Sequence, residues 1–394
     1  MTYIIYLAGA LLLAYLAWGV LYQFFYALVG LGWQAPVWPP AARQRNILVL
    51  IPAYREDAVI VNTARVATQQ NYPSASFDVI VIADSLQPET LAALRAIPVR
   101  VEEVHFEKST KSKSLNACLD RLPEDAYEIT VLLDGDNLME PDFLQRINAA
   151  FANGVRVLQG RRVAKNSDTT MAVLDGLSED INNHILCAGH ARLGLSARLA
   201  GSGMAFDTTL FRKTMRKIDA IGGFDKELEL RLTKAGERVF YDPKSMVLDE
   251  KVRKGDHFAR QRSRWIAAQF HYAAQFFPAA LAGWLRKGNF DHLNKASQML
   301  LPPRLLTPGI LGMGTVLWAL VGWWGLAAAW LVVLVFNLTT FLVAMPVYAW
   351  QSPYRDALLR VPLAFWHALR SLIGLRKANQ QFIHTPHGEA EVKS

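Results

Sequence analysis

Ile129-Thr-Val-Leu-Leu133 runs directly into Asp134-Gly-Asp136. The apolar and β-branched run reads as a short buried strand, and the change to two carboxylates around a glycine marks the loop at its carboxyl end. Paired carboxylates at such a point suit a hard divalent cation, which prefers oxygen ligands and can bridge the oxygens of a diphosphate. Asp-x-Asp also occurs in ordinary turns, so its meaning rests on its surroundings.

Working outward, Ile47-Leu-Val-Leu-Ile51 is an apolar run stopped by Pro52, and Val79-Ile-Val-Ile-Ala83 ends at Asp84. Residues 56–70 read as a helix and Tyr72-Pro73 as a turn. A helix near 88–96, a strand at 99–104 and a helix at 112–122 follow. This alternation predicts an α/β domain with a mostly parallel sheet, whose ligands gather at the carboxyl ends of the strands. Pro52-Ala-Tyr54, Asp84 and Asp134-Gly-Asp136 all fall at such ends. There is no internal repeat or low-complexity tract.

The chain has 394 residues, 52% hydrophobic and 19% charged, with a formal charge of +8. That mixture fits a soluble domain joined to membrane helices better than a fully embedded transporter. Residues 3–29 carry no charge and are long enough to span a bilayer, which takes about 20 residues. Arg43 and Arg45 follow this segment and no basic residue precedes it, so the positive-inside rule places the next domain in the cytosol. A second apolar stretch over 305–350 breaks at Gly322-Trp-Trp-Gly325, which predicts two spans, roughly 306–324 and 326–349. Residues 264–285 and 355–375 read as interface helices; the second could instead line a channel. The expected organisation is a transmembrane helix in 1–32, a cytosolic domain in 46–257, an interface segment in 258–300, two spans in 305–350 and an interface or channel-lining helix with a cytosolic tail in 355–394. The expectation is a multi-pass protein of the inner cell membrane, with lipid as a partner. No nucleic-acid motif is present. Cys118 and Cys187 have no metal or redox spacing and read as free thiols.

Residues 46–277 resemble the family 2 glycosyltransferases. Ile51-Pro-Ala-Tyr54-Arg-Glu56 is similar to their first-strand signature I-P-x-Y-N-E, and Lys111-Ser-Lys-Ser-Leu-Asn116 to K-x-x-A-L-N. Gly201-Ser202-Gly203-Met-Ala-Phe206 resembles the G-x-G-x-A-F loop beneath the acceptor. Phe224-Asp225-Lys-Glu227 falls where the family has E-D-x-E, with Phe224 replacing the first Glu. Gln261-Arg-Ser-Arg264-Trp265 matches the Q-x-x-R-W of cellulose, chitin and hyaluronan synthases, of which ceramide glucosyltransferase carries a variant. The segment from Arg376 to His387 weakly resembles the F-x-V-T-P-K region of cellulose synthases.

The resemblance implies a nucleotide-sugar-binding GT-A fold with transmembrane and interface α-helices. It implies Mg²⁺ or Mn²⁺ on Asp136 and Asp134, with the donor, a UDP-sugar, held by Tyr54, Glu56, Asp84, Lys111, Asp134, Gln261 and Arg264. Trp265, Gly201, Ser202 and Gly203 would meet the acceptor, a glycan or a lipid. Asp225 would be the base of an inverting transfer, with Glu227 its rival. His257 would be an added metal ligand or, more simply, a structural histidine. Three functions follow: processive synthesis of a β-linked polysaccharide, which Q-x-x-R-W favours; transfer of one sugar to a lipid; and an idle scaffold or sugar-binding subunit, which has no need of Asp134, Asp136, Asp225 and Trp265 together.

Overall fold

The computed structural model describes residues 2–361 except Ile221, Val252 and Lys254, together with Phe365 and Leu369; for Thr2 and residues 255–264 it describes the backbone alone. Most of the expected 355–394 segment, including the stretch from Arg376 to His387, lies outside the described residues.

Among the described residues, eight strands build one sheet: β1 Ile47–Tyr54, β2 Phe77–Asp84, β3 Arg100–Val104, β4 Ile129–Leu132, β5 Leu138–Met139, β6 Val157–Ala164, β7 Met204–Asp207 and β8 Phe240–Asp249. Their order is β3-β2-β1-β4-β7-β6-β8-β5. Strands β3, β2, β1 and β4 are mutually parallel, and β7 is antiparallel to both of its neighbours. The expected α/β GT-A sheet is therefore present, with antiparallel strands in its second half. Alternation along β1 explains its two covered faces. Leu48 and Leu50 enter one apolar cluster with helices α4 (Lys111–Arg121), α8 (Thr208–Met215) and α9 (Phe224–Lys234). Ile47, Val49 and Ile51 enter the other with α2 (Ile60–Ala67), α3 (Pro88–Arg95) and α5 (Phe143–Ala152). A parallel strand covered on both sides must be apolar throughout, which is how β1 reads.

Helix α1 (Thr2–Gly30) precedes the domain, and α6 (Thr170–Asn182), a π-helical turn at 183–188 and α7 (Gly189–Arg192) follow β6. After β8 come α10 (Gly255–Lys287), α11 (Phe290–Gln298), α12 (Thr307–Leu320), α13 (Trp324–Ala344) and the short α14 (Tyr354–Leu358). Among the described residues, two helices are long and apolar enough to cross a membrane, Tyr3–Gly30 and Trp324–Ala344. Helix α12 is apolar too, but its 14 residues reach only about 21 Å, short of the ~30 Å hydrocarbon core. It starts after Pro302-Pro303 and ends before Gly322, whose φ of 83° suits a residue without Cβ. Helix α10 leaves Trp265, Phe270, Leu281, Trp284 and Leu285 exposed.

These helices touch closely. A Cβ at Gly9 would lie 2.4 Å from Trp318, one at Gly19 2.3 Å from Pro302, and one at Gly314 2.1 Å from Trp330. Tyr6 meets Trp323 edge-on at 5.4 Å, Phe24 meets Phe336 at 5.1 Å, and Tyr26 and Ala27 cluster with Ala344. Helix α1 thus runs alongside α13 over its whole length.

The last turns of α1 dock on the catalytic domain through polar groups. Tyr22 and Tyr26 both donate to Asn294 Oδ1, at 2.7 and 3.1 Å, and the Tyr26 ring stacks on His190 at 3.7 Å. His190 donates from Nδ1 to Ile185 O and accepts from Gln298 at Nε2, an arrangement that needs the neutral ring. Burial, aided by Lys295, pushes its pKa well below the usual histidine value. At Gly189 a Cβ would lie 2.3 Å from the Tyr26 carbonyl oxygen, backbone that cannot swing aside. Gly189→Ala is therefore expected to cost on the order of 2 kcal/mol and to lower the thermal unfolding temperature of the detergent-solubilised protein. Gly283→Ala, where no atom lies within 4 Å, is the control and should leave that temperature unchanged or slightly raised.

Candidate active site

The register of β1 brings the first polar groups together. Tyr54 is paired with Asp84 at the ends of β1 and β2. The next residues, Arg55 and Ser85, have φ of 56° and 60°, left-handed values that cost energy without glycine. Arg55 N donates to Asp84 O at 3.1 Å, which links the two strained turns. Asp84 is buried. Its Oδ1 accepts from Ser85 Oγ at 3.0 Å, and its Oδ2 has no hydrogen-bond partner. A buried carboxylate oxygen left open at a strand end is suited to a ligand donor.

Two strands away, β4 ends one residue before the paired carboxylates. Leu133 N donates to Leu50 O, and a Cβ at Gly135 would lie 3.3 Å from Glu56 Cγ, so Glu56 packs against the D-x-D turn. Asp134 N donates to Ser202 Oγ at 2.9 Å. Its Oδ1 accepts from the Lys111 ammonium, which stands on the first residue of α4 and also donates to Gly201 O at 2.9 Å. Asp136 is buried, and its Oδ1 accepts from Asn137 Nδ2 at 3.0 Å.

Asp225 lies on the first turn of α9. A Cβ at Gly201 would be 3.9 Å from Asp225 Oδ2, so one glycine separates this carboxylate from the carbonyl that Lys111 holds. Phe224, in place of the family's Glu, offers its ring to the Lys111 ammonium at 5.0 Å. Glu227 is buried and its Oε1 accepts from Arg231 at 2.7 and 2.6 Å, a commitment that leaves Asp225 the more open of the two. Tyr272 donates to Gly222 O at 3.1 Å, and burial next to Glu227 and Asp225 raises its pKa.

Ser202 and Gly203 sit beneath the D-x-D turn rather than open to an acceptor. Ser202 is fully buried on Asp134, and a Cβ at Gly203 would lie 2.8 Å from Val247. Gly201 is the member of this loop that faces Asp225. The loop is clamped by buried Gln159, which donates to Ser202 O and accepts from Ala200 N. Trp265 and Lys226, the neighbour of Asp225, both line one cavity. The side chains of Gln261, Arg264 and His257 lie outside the described residues.

Sequence reasoning missed the support behind Asp136. Asn137 Nδ2 also donates to Asp249 Oδ1 at 2.9 Å. Asp249 pairs with Arg162 at 2.7 Å and with Lys251 at 2.5 Å, and Glu179 pairs with Arg198 at 2.6 Å and Lys251 at 3.9 Å. Only the asparagine after the D-x-D was a usable signal; the other partners come from four separate segments. Burial alone would raise both carboxylates, but the cations prevail. Arg162 and Lys251 hold Asp249 well below the usual range, and Arg198, Lys251 and Arg162 bring Glu179 down to about 2.

Among the described residues, no cluster of three or more His, Cys, Asp or Glu side chains could hold a metal ion by itself. Asp134 and Asp136 offer two carboxylates, a donor set that fits Mg²⁺ or Mn²⁺ completed by substrate phosphate and water.

The family described as "Glycosyltransferase like family 2" matches residues 44–268. Glucans biosynthesis glucosyltransferase H from two strains of Rhodopseudomonas palustris is 31% and 30% identical over 161 residues, 37% of this chain. The chain spans about a fifth of the length of these relatives, 22%. A mannosyltransferase from Pyrobaculum calidifontis, solved with GDP-Man and Mn²⁺, superposes with a TM-score of 0.60 at 18% identity, covering 93% of this chain and 98% of that one. This likeness extends the shared fold beyond the catalytic domain to the helices.

A group with a depressed folded pKa stabilises above its unfolded value, and that stability is lost as pH falls. For Glu179 the window runs from its ordinary 4.5 down to about 2. The wild type should lose thermal stability steadily across this window. Glu179→Gln, which starts lower because Arg198 and Lys251 lose a carboxylate, should show a shallower decline. Unfolding temperatures measured across this pH range check both.

Proposed function

The chain belongs to the family 2 like glycosyltransferases, and from that membership we propose that it transfers a sugar, with inversion, from a nucleotide-diphosphate sugar to an acceptor at a membrane surface. One observation carries this reading: Lys111 joins Asp134 to Gly201, and Gly201 borders Asp225. The carboxylates that would face the diphosphate end of a donor and the proposed base thus border the same loop, an arrangement that can bring donor and acceptor together. Asp84 and Tyr54 would receive the nucleoside, with Gln261 and Arg264 reaching the diphosphate from α10. Asp134 and Asp136 would hold Mg²⁺ or Mn²⁺, which supplies positive charge for the departing diphosphate. Asp225 would take the acceptor hydroxyl proton as the new bond forms. An α-linked UDP-sugar would then give a β-linked product.

The helix packing favours an acceptor carried on lipid. Among the described residues, α1, α12 and α13 meet in glycine-to-tryptophan and glycine-to-proline contacts around a core of Leu16, Val20, Leu311, Trp318 and Trp330. This contact is apolar, which suits a lipid-borne acceptor better than a hydrated sugar chain. The second reading, processive synthesis of a β-linked polysaccharide, is favoured by Q-x-x-R-W and by the partial likeness to a glucan-forming enzyme.

Purified protein in lipid vesicles, given labelled nucleotide sugars with Mg²⁺ or Mn²⁺, decides between the two. A single sugar in the lipid extract supports the first, and a long water-soluble polymer supports the second. No product from any donor would sink both. Asp136→Ala should abolish the response to added metal. Asp225→Asn should lower kcat by about 10²–10⁴-fold while nucleotide-sugar binding, followed by calorimetry, persists. If Glu227→Gln shows the larger kcat loss instead, the base is misassigned.

A further inference from the structure

Glu229 stands one helical turn after Asp225 on α9 and is only 1% exposed. Its two carboxylate oxygens face different elements. Oε2 accepts from Leu199 N at 2.6 Å, and Oε1 lies 3.5 Å from the Lys295 ammonium of α11. Lys295 is fully buried, and among the described residues neither its Nζ nor Glu229 Oε1 makes a hydrogen bond. Burial pushes the Glu229 carboxyl above its ordinary value, and Lys295 and the Leu199 N–H oppose that push. A buried ion pair of this kind rarely stabilises a fold more than apolar residues of similar volume would. Its use here is geometric.

The carboxylate reaches the segment that builds the site. Leu199 begins the run that continues through Ala200 to Gly201. Ala200 N donates to Gln159 Oε1 at 2.8 Å, Gly201 O accepts from Lys111 at 2.9 Å, and a Cβ at Gly201 would lie 3.9 Å from Asp225 Oδ2. Gln159 and Lys111 fix this segment to β6 and α4, and Glu229 fixes it to α9, the helix that carries Asp225. Leu199 and Glu229 line the same cavity as Trp265, with Arg198 and with Gln23 of α1. Helix α11, which supplies Lys295, is anchored on several sides. Asn289, its N-cap, donates to Thr233 O of α9 at 3.0 Å, and Asp291 accepts from Ser196 N at 2.9 Å and Ser196 Oγ at 2.5 Å. Next to Lys295, Asn294 accepts from Tyr22 and Tyr26 of α1.

We propose that Glu229 is a positioning residue for the transfer: through Leu199 it sets the separation of Asp225 from the Gly201 loop, and Lys295 holds its carboxylate in place, a role that rests on Asp225 being the base. A misplacement of about 1 Å at a reacting group can cost on the order of 10²-fold in rate. A shift of α9 against this loop is therefore read in kcat. Donor binding, proposed for Asp84, Lys111 and the D-x-D turn, is left unchanged.

Two double variants remove both buried charges and differ in the tether. Glu229→Gln with Lys295→Met keeps an acceptor for Leu199 N, and Glu229→Leu with Lys295→Met does not. Each is made in the whole chain and followed by thermal unfolding, by amide hydrogen exchange over residues 196–203 and by turnover of the nucleotide sugar that the wild type uses. The conservative glutamine pair should retain wild-type kcat and slow exchange. The leucine pair should unfold at a similar temperature, exchange faster over 196–203 and lose about 10²-fold in kcat with the donor KM unchanged. Wild-type kcat in the leucine pair overturns the proposal, as does an equal loss of kcat in both pairs or a loss confined to donor KM. Where the leucine pair does not fold, Glu229→Asp, which keeps the charge and withdraws the acceptor by one methylene, takes its place with the same outcomes. If Asp225→Asn leaves kcat intact while the Glu229 variants lower it, the tether stands and the base is misassigned. If the wild type turns over no donor, the proposed transfer falls; faster exchange in the leucine pair then still supports the tether, and unchanged exchange sinks it.

Discussion

The parallel pairing of β1 with β4, Leu50 opposite Leu132, is the constraint on which the site depends. A one-residue slip would move every side chain of β4 to the other face of the sheet. Because both faces are packed with aliphatic side chains, that slip would expose one cluster and bury the polar turn that follows. The register therefore places Gly135 of the D-x-D turn beside Pro52 and Glu56, and the β1–β2 pairing places Asp84 on the same edge. Covering both faces leaves the carboxyl edge as the part of this half-sheet where polar groups can gather without loss of core.

The D-x-D turn has a second support, electrostatic rather than apolar. Asp136 leans on Asn137, Asn137 on Asp249, and Asp249 on Arg162 and Lys251. Lys251 continues to Glu179, which holds Arg198 in the cavity wall. Buried charges of this kind contribute little net stability compared with an apolar core, yet removing one member leaves its partners buried and uncompensated. Their benefit here is geometric: residues from β6, α6, β8 and the loop before β7 are locked around the carboxylates. The same chain of contacts connects the proposed metal site to the cavity against α1.

What was legible in the sequence was what is local in the chain. Ile47–Ile51, Val79–Ala83 and Ile129–Leu133 announce buried strands by composition, and the carboxylates at their ends announce the edge. The network behind Asp136 was not legible, because Arg162, Glu179, Arg198, Asp249 and Lys251 have no common spacing and acquire meaning only when β6 and β8 pair. Ser202 and Gly203 were read for the acceptor by resemblance, whereas the sheet sets them under Asp134. The break at Gly322 was legible but the length of α12 was not: hydropathy runs on to Trp324, while the helix stops at Leu320, ahead of the left-handed Gly322.

The departure at Phe224 now has a physical reading. In the family's usual sequence an acidic residue precedes the base, and like charges side by side disfavour ionisation of both. Here that position presents an aromatic face to Lys111, whose ammonium is already shared between Asp134 and Gly201 O. The lysine thus keeps an attractive partner on the Asp225 side without a second carboxylate drawing it from the D-x-D turn. With Phe in place of Glu, negative charge is kept away from the proposed base, Asp225, while the lysine that ties the two halves of the site together stays in place. The proposed role then falls more heavily on Asp225, since the neighbouring acid on that turn, Glu227, is bound to Arg231.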